Sequence, residues 1–130
     1  MTTVYIADAC PDDTLAFSIL VQDLKMNVVG HSSEWKTIVD EIPNTDPDLL
    51  LVDWNLINSS PEFTMPNLRS VCSENTVIVL ISSLDSREQA AIASGADVFI
   101  SKGETPDKVA RRLQTLSDDI SYRRLFGILQ

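Results

Sequence analysis

Short aliphatic runs of strand length alternate with longer stretches whose apolar residues fall at helical spacing, and this alternation constrains the chain more than any single motif. Val4-Tyr5-Ile6-Ala7 reads as a first strand. Pro11 to Lys25 follows as a helix carrying apolar Leu15, Ile19, Leu20 and Leu24, with Pro11 suited to its first position and Asp12 and Asp13 to its positive end. Asn27-Val28-Val29 is a short second strand ended by Gly30, and Ser33 to Ile42 a second helix stopped by Pro43. Asp48-Leu49-Leu50-Leu51-Val52-Asp53 is apolar on both faces, as a central parallel strand is. Asn67 to Cys72 belongs to a third helix whose start is loosened by Pro61 and Pro66. Thr76 to Ser82 is a fourth strand, Asp85 to Ser94 a helix closed by Gly95, and Asp97 to Ile100 a fifth strand. Thr105 as N-cap and Pro106 at the first helical position open a fifth helix running to about Leu116.

Five strands alternating with five helices predict an α/β fold, a doubly wound parallel sheet covered on both faces, with right-handed crossovers. The chain of 130 residues suits one domain, read as residues 1–117, followed by a tail over 118–130 whose apolar end suits a packing helix or the start of a linker. The net charge is −9, unevenly placed: residues 1–104 hold five basic and sixteen acidic groups, and 105–130 five basic and three acidic. An acidic body argues against direct nucleic-acid binding, which needs cations facing phosphates. The longest aliphatic run, Val77-Ile78-Val79-Leu80-Ile81, falls far short of the roughly 20 residues of a membrane span, and the N-terminus shows no signal-peptide pattern. Cys10 and Cys72 lack metal spacing, and reduced thiols in a cytoplasmic protein are the expected state, with a disulfide left open.

In doubly wound sheets the chemistry sits at the carboxyl ends of the strands. There the pattern places Asp8, Asp53, Ser82-Ser83 and Ser101-Lys102. Each is weak evidence alone, because an Asp ending a strand is commonly a turn residue. Together, in order, they bring two carboxylates, a hydroxyl and an ammonium to one rim. At these residues the chain resembles the receiver domain of two-component response regulators over about residues 3–116. Val4 to Asp8, Asp48 to Leu56, Val79 to Ser83, Ser94 to Lys102 and Thr105-Pro106 carry the likeness.

The resemblance implies the flavodoxin-like strand order 2-1-3-4-5. It implies that Asp53 is a phosphoacceptor, that Lys102 pairs with it and then with phosphoryl oxygens, and that Ser82 is a switch hydroxyl. It makes Phe99 the switch aromatic that turns inward, and it implies a Mg²⁺ held by Asp8, Asp53 and the backbone carbonyl of Asn55. A sensor histidine kinase or phosphotransfer protein would be the donor. No effector domain fits after Leu116, so output would pass to an unknown downstream protein or through a homodimer of the fourth and fifth helices. Such a domain is a signalling module rather than an enzyme.

The chain departs from the family at four places. Aligning Pro11 with the usual proline sets Ala9 where a second acid, normally a direct metal ligand, is found. Asp12 or Asp13 could lean in as a substitute, but service at the helix N-terminus is the preferred reading. The segment Asn58 to Thr64 has no glycine to supply a positive φ, and the thirteen positions from Ser82 to Gly95 are fewer than usual, so the fourth helix or its leading loop is expected to be short. Gly103 follows Lys102 where a cis-proline is common. Ala9 keeps a runner-up alive: a pseudo-receiver that uses the same face for binding without phosphorylation. A haloacid-dehalogenase-like phosphatase would need an Asp at Asn55, and a flavodoxin a hydroxyl- and glycine-rich loop where Ala9-Cys10-Pro11-Asp12-Asp13 stands. Trp54, beside the acceptor, is expected to be partly exposed at the rim; Trp35 and the arginines of the last helix are expected to be packing and solvated groups.

Overall fold

The computed structural model of the chain describes residues 1–127. The last three residues of the expected tail lie outside the described residues. Five parallel strands, β1 (Thr3–Ala7), β2 (Asn27–Ser32), β3 (Leu49–Asp53), β4 (Val77–Ser82) and β5 (Val98–Ser101), form one sheet in the order β2-β1-β3-β4-β5. The helices are α1 (Pro11–Asp23), α2 (Trp35–Thr45), α3 (Met65–Val71), α4 (Glu88–Ala93) and α5 (Pro106–Phe126). The doubly wound parallel sheet is what the alternating pattern predicts, and its strand order is the flavodoxin-like one that the resemblance implies.

Successive strand residues point to opposite faces, and each face has its own core. Tyr5, Ala7, Leu50, Val52, Ile78, Leu80 and Phe99 pack under α2, α3 and α4 with Ile38, Ile42, Leu68 and Ala91. Val4, Ile6, Leu49, Leu51, Val79, Ile81 and Ile100 pack under α1 and α5 with Val21, Val109, Leu113 and Ile120. A strand buried on both faces needs an unbroken apolar run, which is why β3 and β4 stand out in the sequence.

Helix limits and faces depart from expectation in α1, α2 and α5 and agree with it in α4. The inward stripe of α1 is Phe17, Leu20, Val21 and Leu24, while Leu15 and Ile19 are exposed. Pro43 lies inside α2, where it forgoes one late-turn bond; the Asn44 and Thr45 side chains cap the carbonyls of Asp40 and Glu41, and Asp46 ends the helix in the left-handed region at φ 42°. The fourth helix is short, six residues after a 3₁₀ turn at Asp85–Arg87, as the Ser82–Gly95 spacing implied. The fifth helix does not stop near Leu116. It runs to Phe126, held by the bond between the Thr2 and Ser117 hydroxyls, by buried Ile120, and by an Arg124–Asp48 ion pair.

In the loop after β3 the positive φ that glycine would supply is taken by Asn58 at 67°, the side-chain type best suited to it. Both cysteines are free. Among the described residues no helix is long and apolar enough to cross a membrane.

Gly30 sits where β2 crosses the Tyr5 ring: a Cβ there would lie 2.6 Å from Tyr5 Cε2. Tyr5 is fully buried, so the ring cannot swing clear. Gly30→Ala is expected to cost about 1–3 kcal/mol by overpacking. Gly103→Ala, whose Cβ would make an ordinary contact at 3.4 Å, should stay within about 0.5 kcal/mol. Urea unfolding of the two variants checks the pair.

Candidate functional site

All five strands end in the same way. A side-chain oxygen accepts the backbone N–H two residues on: Asp8 from Cys10 (2.9 Å), Ser32 from Glu34 (3.0 Å), Asp53 from Asn55 (3.0 Å), Ser82 from Leu84 (3.1 Å) and Ser101 from Gly103 (3.1 Å). These turns satisfy donors that the ladder leaves unpaired. They also fix which oxygen of each aspartate is free. In Asp8 and Asp53 the Oδ1 atom is tied to the turn, and Oδ2 faces the rim.

The free oxygens meet at Lys102. Its Nζ lies 3.0 Å from Asp53 Oδ2, 3.5 Å from Asp8 Oδ2 and 2.6 Å from Asp13 Oδ2. Asp13 comes from the first turn of α1, so it does more than serve the helix N-terminus: it leans into the rim that Ala9 leaves without a carboxylate. Asp12 is exposed and has no part in the cluster. One carboxylate oxygen from each of Asp8, Asp13 and Asp53 lies within 4.8 Å of the others, a set of hard oxygen donors. Three carboxylates against one ammonium leave a formal surplus of two negative charges. This donor set suits a hard divalent cation, which takes carboxylate oxygens and keeps waters.

Burial sets the electrostatics. It is the main reason the Asp8 carboxyl is held above its ordinary value, with the Asp53 charge adding to it and the Cys10 N–H and Lys102 opposing. Burial pushes Asp53 the same way, but the Asn55 N–H and the Lys102 ammonium outweigh it, so the Asp53 carboxyl ends below its usual range. Burial would lower Lys102, yet its bonds to Asp13 and Asp53 raise it, so the ammonium stays charged. Of the two strand-end aspartates, Asp53 is thus the one whose charged form its surroundings favour.

Of the other expected residues, Ser82 is buried at the end of β4, next in line after Ile81, which pairs with Asp53. It belongs to the opposite sheet face from Lys102, alternating with Ile81. Phe99 is not at the rim. It is buried in the core under α4, already turned inward. Asn55 holds Asp53 through its N–H, in the 3₁₀ turn Trp54–Leu56. Trp54 is partly exposed as expected, and the Arg87 guanidinium lies over its ring. Trp35 packs against Phe63. Arg112 is more than a solvated group, since it bonds Glu104 and the Phe99 carbonyl.

Asp13 and Arg87 are the site-proximal residues that sequence reasoning did not assign to the rim. The position of Asp13 on the first turn after strand one was a signal, but an acid there has a second and simpler use. Arg87 carried no signal.

A doubly wound sheet with its polar side chains gathered at the carboxyl ends of β1, β3, β4 and β5 defines the class. No protein-family model and no curated protein matches the chain. Among solved structures it is similar to the response regulatory domain of protein mrkE from Klebsiella pneumoniae (17% identity, TM-score 0.78, 93% of this chain and 99% of that one). It is also similar to the signal receiver domain of a modulated diguanylate cyclase from Desulfovibrio desulfuricans (21%, 0.73, 95% and 98%). A third neighbour is the receiver domain of a sensor histidine kinase from Pseudomonas aeruginosa with a magnesium ion coordinated in its active-site cleft (15%, 0.70, 88% and 96%). The chain has the response-regulator receiver fold, in a sequence far diverged from these neighbours.

The two aspartates have opposite linkage to pH. The folded pKa of Asp53 lies below its unfolded value, so its stabilisation is present above about pH 3.9 and is lost as pH falls through the folded value. The raised pKa of Asp8 makes its charge a cost at neutral pH, relieved as pH falls through that raised value. Asp8→Asn is therefore expected to stabilise the protein at pH 7 and to lose that advantage below the ordinary carboxylate range. Lys102→Met should destabilise by about 2 kcal/mol at pH 7, discounted from a fully buried pair because the ammonium is partly exposed, and by less as the carboxyls protonate. Denaturant midpoints at several pH values measure both.

Proposed function

We propose that the chain is a phosphoacceptor receiver of a two-component phosphorelay, with Asp53 as the acceptor. The observation that carries this reading is the convergence of three Oδ2 atoms on Lys102 around the buried, ionised Asp53. In the transfer, a carboxylate oxygen of Asp53 attacks phosphorus. The bond from phosphorus to the donor, a phosphohistidine nitrogen or the acyl oxygen of a small phosphodonor, breaks, and its electron pair leaves with the donor. Such transfers depend mostly on positioning and charge neutralisation.

Lys102 supplies one neutralising charge and can follow the phosphoryl oxygens as they arrive. A bound Mg²⁺ would shield the negative charge that the acceptor and phosphoryl group bring together. Asp8, Asp13 and Asp53 are the side chains that would hold it, with the Asn55 carbonyl as the backbone ligand the resemblance implies. Ser82 is the hydroxyl available to the new phosphoryl group, which carries about −1.5 to −2 charge and seeks donors. A histidine kinase or phosphotransfer protein in the cytoplasm is the proposed donor. A downstream protein, or a second copy meeting it through α4 and α5, is the proposed receiver of the signal. The acidic body leaves nucleic acid out of that role.

A second reading, a receiver fold used as a phosphorylation-independent binding module, is favoured by two observations. Ala9 offers no ligand, and Phe99 is already inward.

One set of measurements separates the readings. Trp54 fluorescence is expected to respond to millimolar Mg²⁺. Acetyl phosphate with Mg²⁺ is expected to add one phosphoryl group to the intact mass, and Asp53→Asn to abolish that gain. Asp13→Asn should weaken the Mg²⁺ response at least about tenfold, the scale set by removing one charge near a divalent ion in a wet site. No fluorescence response and no mass gain in the wild-type protein would overturn the phosphoacceptor reading and favour the phosphorylation-independent module.

A further inference from the structure

Arg87 is the one charged group at this rim that the receiver reading leaves without a task. Its Nη1 donates to Ser82 Oγ at 3.3 Å, and its Cζ lies 5.4 Å from the centroid of the Trp54 ring. Trp54 directly follows Asp53, and Ser82 is 1% exposed. Among the described residues Arg87 forms no ion pair, so Ser82 and Trp54 are what orient the guanidinium.

A serine hydroxyl has two acceptor sites and one donor. One acceptor site of Ser82 takes the Leu84 N–H at 3.1 Å, and the other takes Arg87. With both occupied, the O–H is the part of the hydroxyl left to interact, and it can do so only as a donor. A phosphoryl group offers acceptors alone at its charged oxygens.

From this geometry we propose that Arg87 is a positioning residue: by filling the second acceptor site of Ser82, it presets that hydroxyl as a donor to a phosphoryl group on Asp53. The proposal rests on the receiver reading. A lost charge-assisted hydrogen bond in a sheltered site corresponds to about tenfold or more in an equilibrium constant. The stacking on Trp54 then has a mechanical use, because it keeps the guanidinium at the rim while Ser82 is engaged.

The test is calorimetric titration of the whole chain with beryllofluoride, a phosphoryl analogue, in the presence of Mg²⁺. Arg87→Met keeps an apolar stem over Trp54 and removes every donor, and it should bind the analogue about tenfold more weakly than wild type. Arg87→Lys keeps a cation and a donor without the planar fork, and it should stay within about threefold. Thermal melts of the same samples keep folding apart from binding.

Wild-type affinity in Arg87→Met would overturn the proposal. Equal losses in the Met and Lys variants would overturn it too, since the effect would then belong to the stacked plane rather than to the hydrogen bond. If wild type itself takes up no beryllofluoride, Asp53 is not an acceptor, and both readings fall together. If wild type binds and Asp53→Asn does not, while Arg87→Met matches wild type, the role of Arg87 alone is lost.

Discussion

The rim depends on one ammonium group. Three Oδ2 atoms from the end of β1, from α1 and from β3 would otherwise face one another within a few ångströms with no cation between them, in a site only partly open to water. Two of those carboxylates cannot turn away, because their Oδ1 atoms are held by the turns that end their strands. Lys102 reaches all three from the end of β5, on the far side of the sheet order from β1. The interaction therefore ties the first strand, the first helix, the central strand and the last strand at a single point. Its cost is also clear: the Asn55 N–H and Lys102 hold Asp53 ionised, while burial, with the Asp53 charge adding to it, drives Asp8 the other way.

The alternation of strand residues explains how the rim communicates with the two helical layers. Asp53 follows Leu49 and Leu51 on the face covered by α1 and α5, and that is the face from which Asp13 can reach it. Ser82 follows Ile78 and Leu80 on the other face, above Phe99 and Ala91 and next to the short segment that carries Arg87. A group placed between Asp53 and Ser82 would touch both layers at once. The neighbouring strand ends thus connect the Asp53 carboxylate to α4, with Ser82 as the crossing point.

Much of this was legible in the residues, for definable reasons. Strands buried on both faces leave continuous apolar runs, and the residue after such a run marks a rim position, which is how Asp53, Ser82 and Lys102 could be located. Periodicity was less decisive for α1, because Leu15 and Ile19 are as apolar as Phe17 and Val21, and the sequence does not say which stripe meets the sheet. The length of α5 was hidden because Ile120 is the one apolar residue of its continuation in the core, and the other anchors, Ser117 and an Arg124–Asp48 pair, do not read as core. Pro43 misled because a proline in a last turn costs one bond, which side chains nearby offset. Asp13 was legible only as one of two acids able to lean in, because its partner Lys102 lies 89 residues away, and nothing in the sequence around Arg87 marks its bond to Ser82 five residues before it.

Asp13 also sharpens the question that Ala9 raises. A carboxylate delivered from a helix differs from one delivered by the strand end itself: its side chain is partly exposed and has no turn fixing Oδ1, so it is freer to choose partners than Asp8 or Asp53. In the present geometry its Oδ2 is the nearest oxygen to Lys102. An oxygen committed to an ammonium is a poorer ligand for a cation, and an ammonium shared among three carboxylates is less available to a phosphoryl group. Both deficits are relieved by the same rearrangement, in which Asp13 leaves Lys102. On the proposed reading, alanine at strand one would move a metal-binding function from a fixed position to a movable one. That makes the exchange of Asp13 between lysine and cation the step on which phosphorylation of Asp53 would turn.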